Sequence, residues 1–269
     1  MCNQLPAVDT DELQGEFVGE LNDKMAGFYR SGYTSVSGEK RIMASTQFES
    51  VDARRCFPCW DEPSRKATFT CSLRVPTHMT ALSNMPEALS RDEGDGTKTV
   101  AFMESPKMST YLLAFVVGEF DHVSALTQNG VLIRAFCPPG KPHLGRFALR
   151  CAVAALDEYD RTFEIPYPLP KSDMVAIPEF AAGAMENWGL VTYREVDMLV
   201  DLHELEREIG AERTTRKNAD DRKQRNVASA KGESPYKGDR RDDHADAPRA
   251  ASAPTASCGS SCSRRRVGG

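Results

Sequence analysis

Apolar and polar positions alternate over residues 68–75. Phe69, Cys71, Leu73 and Val75 fall on one face and Thr70, Ser72 and Arg74 on the other. A period of two is that of a strand with one buried face. Residues 97–102 alternate less regularly and also predict a strand. Residues 112–117 are continuously apolar, the pattern of a strand covered on both faces. Gly130 introduces a further strand over 131–136. Between two of these runs, Asp92-Glu93-Gly94-Asp95-Gly96 has the composition of a hairpin turn, in which glycine supplies positive φ. Several short strands separated by turn signals predict a β-rich region over residues 1–139.

The pattern then changes. Cys137-Pro138-Pro139-Gly140-Lys141-Pro142 is a cluster of breakers and marks an expected domain boundary. Beyond it Leu144, Phe147, Ala148, Cys151, Ala155, Tyr159 and Phe163 recur at helical spacing, predicting an amphipathic helix of about 20 residues with that stripe inward. Ile165-Pro166-Tyr167-Pro168-Leu169-Pro170 stops it, because proline lacks a donor and fixes φ. Two short strands are expected near 173–177 and 189–193. Residues 140–200 thus read as the start of a second, α+β domain.

Composition divides the chain again near Val200. The whole sequence carries a formal net charge of -5, so nothing points to nucleic acid as a whole-chain partner, and none is expected. Residues 201–269 hold 15 Lys+Arg against 12 Asp+Glu, whereas the first 200 residues hold 19 against 27. The tail has no Phe, Trp or Met, and its only Leu, Ile and Val residues are Leu202, Leu205, Ile209, Val227 and Val267. Such a segment cannot bury enough apolar surface to offset its ordering entropy, so residues 201–269 are expected to be a low-complexity, disordered tail. No apolar run approaches the ~20 residues of a membrane-spanning helix. The opening residues do not form a secretory signal.

The eight cysteines are scattered, without the spacing of a disulfide framework. Cys56-Phe57-Pro58-Cys59 is formally a CxxC, but no second close pair lies in the part expected to fold, so reduced, partly buried thiols are expected. That expectation points to a cytoplasmic protein.

The chemistry is concentrated in Gly183-Ala184-Met185-Glu186-Asn187-Trp188-Gly189, followed by Leu190-Val191-Thr192-Tyr193-Arg194-Glu195. This stretch resembles the GAMEN signature of the zinc aminopeptidases related to aminopeptidase N. Gln47-Phe48-Glu49, Asp52-Ala53-Arg54-Arg55 and Phe57-Pro58-Cys59-Trp60-Asp61-Glu62-Pro63 are similar to the N-terminal-domain signature of that family. Leu21-Asn22-Asp23-Lys24-Met25 and Gly27-Phe28-Tyr29-Arg30-Ser31 are similar to its puromycin-sensitive branch. The motifs occur in family order. The resemblance implies an incomplete β-sandwich or saddle followed by the start of a thermolysin-like peptidase domain. It also implies removal of N-terminal residues from peptides.

An aminopeptidase must distinguish a free α-ammonium from an internal amide. A carboxylate does so by pairing with the cation, for which a mid-chain peptide bond offers no equivalent. The resemblance gives that role to Glu186. It places Gln47 and Glu49 where they complete the amino-end pocket, with Gly183, Ala184, Met185 and Asn187 as the remaining substrate-binding positions. Small Gly183 and Ala184 allow peptide to approach an edge strand and dock by strand addition. Trp188 is expected in the core, Asp61-Glu62-Pro63 as a charged turn, and Arg54 and Arg55 in structural ion pairs.

The family's zinc site is HExxH on a helix, with its histidines four apart so that both face the metal. The histidines here are His78, His122, His143, His203 and His244, and no two are four apart. In the nearest approach, His203-Glu204-Leu205-Glu206-Arg207, a cation stands where the second ligand belongs. No catalytic or metal-ligating residue is therefore assigned. Zinc is the cofactor of the parent family but is not expected to bind specifically here. The sequence reads as a piece of the enzyme truncated at both ends, inactive by itself, with peptides bearing a free N-terminus as partners. The alternative reading is a non-catalytic peptide-binding or interaction module derived from the family.

Overall fold

The computed structural model describes residues 15–202 and eight further residues between 206 and 223. The chain divides after Ala211, and the elements below all lie in the first unit. The tail expected over 201–269 falls almost wholly outside the described residues.

The strands run in order β1 (Gly27–Thr34), β2 (Lys40–Gln47), β3 (Lys66–Ala67), β4 (Ser72–Pro76), β5 (Thr80–Ser83), β6 (Glu87–Asp92), β7 (Thr97–Phe102), β8 (Met108–Ser109), β9 (Phe115–Gly118), β10 (Asp121–Leu126) and β11 (Leu132–Cys137). Helix α1 (Arg146–Phe163) follows, then β12 (Lys171–Ile177), β13 (Ala184–Met185), β14 (Leu190–Arg194) and the single turn α2 (Glu195–Met198). The region is mainly β with one long helix, as the sequence predicts. Gly94 and Gly96 take positive φ in the β6–β7 turn, as their place in the hairpin requires.

Three of the sheets are antiparallel: β1-β2-β9-β5, β4-β7-β6 and β3-β8. The fourth, β10-β11-β12-β14-β13, is mixed, with the β11–β12 and β12–β14 pairs parallel. A parallel neighbour cannot be reached by a tight turn, and α1 is the crossover that joins β11 to β12. The Pro-Gly cluster around residue 139 thus lies inside the connection between two strands of one sheet.

Both faces of this mixed sheet are covered, which is why β12 is buried along nearly its whole length. Ile133, Ala135, Cys137, Met174 and Ala176 face α1. The residues between them, Phe136, Val175 and Ile177, join Leu190, Met185 and Phe180 on the opposite face. There they share one core with Tyr29, Met43, Phe48 and residues 112–116 of the N-terminal β region.

The helix turns inward only part of the stripe its spacing suggests: Ala148 packs on the sheet, but the aromatic residues do not. Leu149 is buried, and Ala148, Ala152, Val153 and Leu156 pack beside it. Phe147, Tyr159 and Phe163 are 41%, 56% and 64% exposed. Two apolar stripes interleave on this helix. The one carrying the small Ala148 and Ala152 lies against the sheet, where a short side chain permits close approach.

Candidate functional site

Segment 179–189 is fastened at three places, and the motif lies between them. At its start, Glu179 binds β1: its backbone N–H donates to Ser31 Oγ at 2.9 Å, its Oε2 accepts from the Gly32 N–H at 2.9 Å, and its carbonyl accepts from the Tyr29 hydroxyl at 2.9 Å. Next, Arg194 donates from Nε to the Phe180 carbonyl at 3.2 Å and from Nη2 to the Ala181 carbonyl at 2.8 Å. Its backbone N–H donates to the Gly183 carbonyl at 2.9 Å. At the far end, Asn84 Nδ2 donates to the Trp188 carbonyl at 2.8 Å and Lys171 Nζ to the Gly189 carbonyl at 2.7 Å.

Between these ties, β13 pairs with β14 through Ala184↔Tyr193 and Met185↔Thr192, and its other side forms the edge of the sheet. Alternation along this edge separates inward from outward positions. Met185 and Asn187 are buried, while Gly183, Ala184 and Glu186 are exposed. Asn187 Nδ2 lies 3.5 Å from Thr192 Oγ1 across the turn. Gly189 has φ +74°, and a Cβ there would stand 2.2 Å from the Asn84 carbonyl oxygen, so only glycine fits this turn.

The end of β2 shows the same alternation. Phe48 is 1% exposed, Gln47 is half-buried and Glu49 is exposed. Phe48 and Met185 belong to one core. The two sequence-distant groups of site residues therefore flank side chains buried together, although among the described residues no hydrogen bond or ion pair joins Glu49 to Glu186. Gln47 Oε1 is buried without a hydrogen-bond partner. An acceptor left so costs about 1–3 kcal/mol unless a donor reaches it.

Sequence reasoning missed the supports. Asp173, fully buried, accepts from Arg134 Nε and Nη2, each at 2.7 Å, and from Lys171 Nζ at 2.7 Å. Lys171 fills its two other donor directions with the Ser83 and Gly189 carbonyls. Burial pulls its pKa down to about 8, against the opposing pull of Asp173. No local signal marks a buried lysine; its three acceptors are brought together only by folding.

Two smaller expectations change. Trp188 is 43% exposed, because Asn187 takes the inward position of the turn. Asp61 is 3% exposed and accepts from the backbone N–H of Arg54 at 3.1 Å and its Nε at 2.8 Å, so it is a buried anchor and not a solvated turn. Arg54 and Arg55 do form ion pairs, with Asp61 and Asp52. Cys56, Cys59 and Cys71 are free and half-buried, and burial raises all three thiol pKa values.

Among the described residues, no three His, Cys, Asp or Glu side chains are grouped to hold a metal ion. The described residues therefore supply no donor set for zinc.

Comparison with known proteins agrees with the motif order. Residues 2–112 match the peptidase M1 N-terminal domain and residues 147–215 match the peptidase family M1 domain. The chain is 58% identical over 185 residues to aminopeptidase M1 of Arabidopsis thaliana, covering 69% of this chain and 21% of that protein. It is 54% identical over 191 residues to the puromycin-sensitive aminopeptidase of Caenorhabditis elegans, covering 71% and 20%. It is 46% identical over 185 residues to human endoplasmic reticulum aminopeptidase 1, covering 69% and 20%. The chain therefore spans about a fifth of the length of these relatives. With both of its matched regions drawn from one family and in order, the chain belongs to peptidase family M1.

Proposed function

We propose that this chain is the part of a zinc aminopeptidase that recognises the free amino end of a peptide, and that it does not hydrolyse peptides by itself. The observation that carries the reading is the buried, unpartnered Gln47 Oε1 beside an exposed Glu49, on a core shared with the segment that bears Glu186. A primary ammonium has three donors and one positive charge. It can satisfy the orphan acceptor and pair with a carboxylate, neither of which an internal amide or acetylated end does equally well. The open edge of β13, with exposed Gly183 and Ala184, supports docking of the peptide backbone by strand addition. Met185 and Asn187 hold that edge from beneath.

In the parent family, zinc would supply Lewis-acid chemistry for hydrolysis, which this chain's described residues would not provide. The ligands for it are not among the described residues, and no two histidines of the sequence are spaced as HExxH requires. Positioning alone does not replace metal and general-base terms. Thus the chain with added zinc should release no chromophore from an aminoacyl chromogenic substrate above a Glu186→Ala control. It should nonetheless prefer a short peptide with a free amino end over its acetylated form in an NMR titration, at millimolar affinity, about -4 kcal/mol. Equal binding of both peptides, or a preference unchanged by Glu186→Gln, would remove the reading. The free thiols of the described residues agree with a reducing, cytoplasmic setting, which we include in the proposal. No described helix is long and apolar enough to cross a membrane.

A further inference from the structure

Two side chains that belong to neither motif converge on consecutive carbonyls of the turn beside Glu186. Asn84 follows β5 in the N-terminal β region, 104 residues away from Trp188, whose carbonyl its Nδ2 binds at 2.8 Å. It is 2% exposed and saturated: the same Nδ2 donates to the Leu112 carbonyl at 2.8 Å, and Oδ1 accepts from the Ala114 N–H at 2.8 Å. Lys171, at the start of β12, binds the next carbonyl, of Gly189, and the Ser83 carbonyl beside Asn84, both at 2.7 Å. The Asp173 N–H donates to the same Gly189 carbonyl at 3.0 Å. These bonds are interlocked, because the turn approaches Asn84 so closely that Gly189 has no room for a Cβ.

We propose that Asn84 and Lys171 form a latch that fixes the direction of the Glu186 carboxylate, making them positioning residues for amino-end recognition. The inference rests on the reading of Glu186 given above. The turn is short: Glu186 stands two residues before the first latched carbonyl, and Met185 before it is anchored in the core. With both ends held, the exposed Glu186 side chain leaves the backbone in one direction. Without the Asn84 and Lys171 donors, the turn keeps the buried Asn187 and the Asp173 N–H bond to Gly189, but its pose loosens and the carboxylate meets an ammonium placed by the edge strand less well. Charge-assisted recognition depends on such prior placement, since reorganisation at binding is subtracted from affinity.

The test uses the full chain carrying Trp60→Phe, which leaves Trp188 as the only tryptophan and hence a reporter on the latched turn. Into it go Asn84→Asp, which keeps the Ala114 contact but replaces the donor by a repelling oxygen, the milder Asn84→Ser, and Lys171→Met. Ser105→Ala is the control: it removes the acceptor for the Phe69 N–H at 3.0 Å, a buried polar contact away from the motif. Two readouts are taken, the free-over-acetylated affinity ratio of one short peptide, and Trp188 emission with its quenching by iodide. The parent is expected to prefer the free end about fivefold, as one partly exposed ion pair allows. Latch variants should fall to about twofold or less and shift Trp188 emission, while Ser105→Ala changes neither. If the parent discriminates and folded latch variants keep the ratio, the latch is wrong and the pocket stands. If the parent does not discriminate, the pocket reading fails. If Trp188 emission and quenching are unmoved in Asn84→Ser and Lys171→Met, the latch is overturned whatever the peptides show.

Discussion

Replacing Asp173 by Asn isolates the charge at the centre of the latch. In the native protein its two carboxylate oxygens accept a two-pronged pair from Arg134 and a third bond from Lys171, all at 2.7 Å. The Lys171 side chain is 4% exposed and that of Arg134 27%. The substitution keeps size and shape, but it removes the only negative charge in the triad and points an N–H₂ at groups that are all donors. Taking one partner from a buried ion pair costs about 3–5 kcal/mol, chiefly because the remaining charge stays desolvated. A cavity of about 400 Å³ borders the triad, and water entering it can partly rehydrate Arg134. Lys171 also lines this cavity but gains less, because its side chain is only 4% exposed and its Nζ is held by the Ser83 and Gly189 carbonyls. The expected loss is therefore about 3–4 kcal/mol, a large fraction of the 5–15 kcal/mol typical of a domain. With an m-value of about 2 kcal/mol/M, the urea midpoint at pH 7 should fall by roughly 1.5–2 M. Pairing the change with Lys171→Met removes the stranded ammonium, so the double variant should lose clearly less than the sum of the two singles. A midpoint shift below about 0.5 M, or strict additivity in the cycle, would refute the claim that this carboxylate neutralises two buried cations.

The helix face offers a cleaner packing test: Leu149→Ala should cost about 2–4 kcal/mol, because Leu149 is buried against the mixed sheet, whereas Tyr159→Ala should stay within about 0.5 kcal/mol. A reversed order in chemical denaturation would restore the stripe that sequence spacing favours. Alkaline stability should pass through a maximum. The depressed pKa of Lys171, about 8 against 10.5, means that the unfolded chain holds an extra proton between those values, so this group makes stability rise with pH there. The raised thiols of Cys56, to about 11, and Cys137, to about 12, act oppositely, because above pH 9 the unfolded chain loses those protons first. Urea midpoints under reducing conditions should therefore climb from pH 7.5 to about 9 and decline by pH 10.5, and Lys171→Met should abolish the climb.

Much of the path to the site was written in the sequence. Alternation at 69–75 and the apolar runs before and after Gly130 each contain a strand, although the strands cover only Ser72–Pro76, Phe115–Gly118 and Leu132–Cys137, because side-chain pattern reports burial and not where the ladder of backbone bonds begins. The glycines of the 93–96 turn announce a backbone that other residues disfavour. The Gly183–Asn187 motif likewise announces itself, and the two families of motifs appear in the order in which they contribute to one core.

Periodicity states how often a helix or strand turns an apolar side chain to one side, but not which side finds a partner. On α1 two stripes were available, and the close fit of Ala148 and Ala152 to β10 and β11 selected the one without the aromatic residues. Around the motif, the deciding groups are polar: Asn84 lies far in sequence from Lys171, Asp173 and Glu179, and none of the four belongs to an apolar rhythm. A buried polar group is tolerated only when its hydrogen bonds are satisfied, and here the partners are mainly backbone carbonyls and N–H groups on other strands. Those pairings exist only once the sheets are assembled. The sequence by itself marked the Gly183–Asn187 motif and the Gln47–Glu49 stretch, because their residues are adjacent in the chain; the tertiary structure decided which buried side chains hold them in place, because only the folded chain brings donor and acceptor within reach.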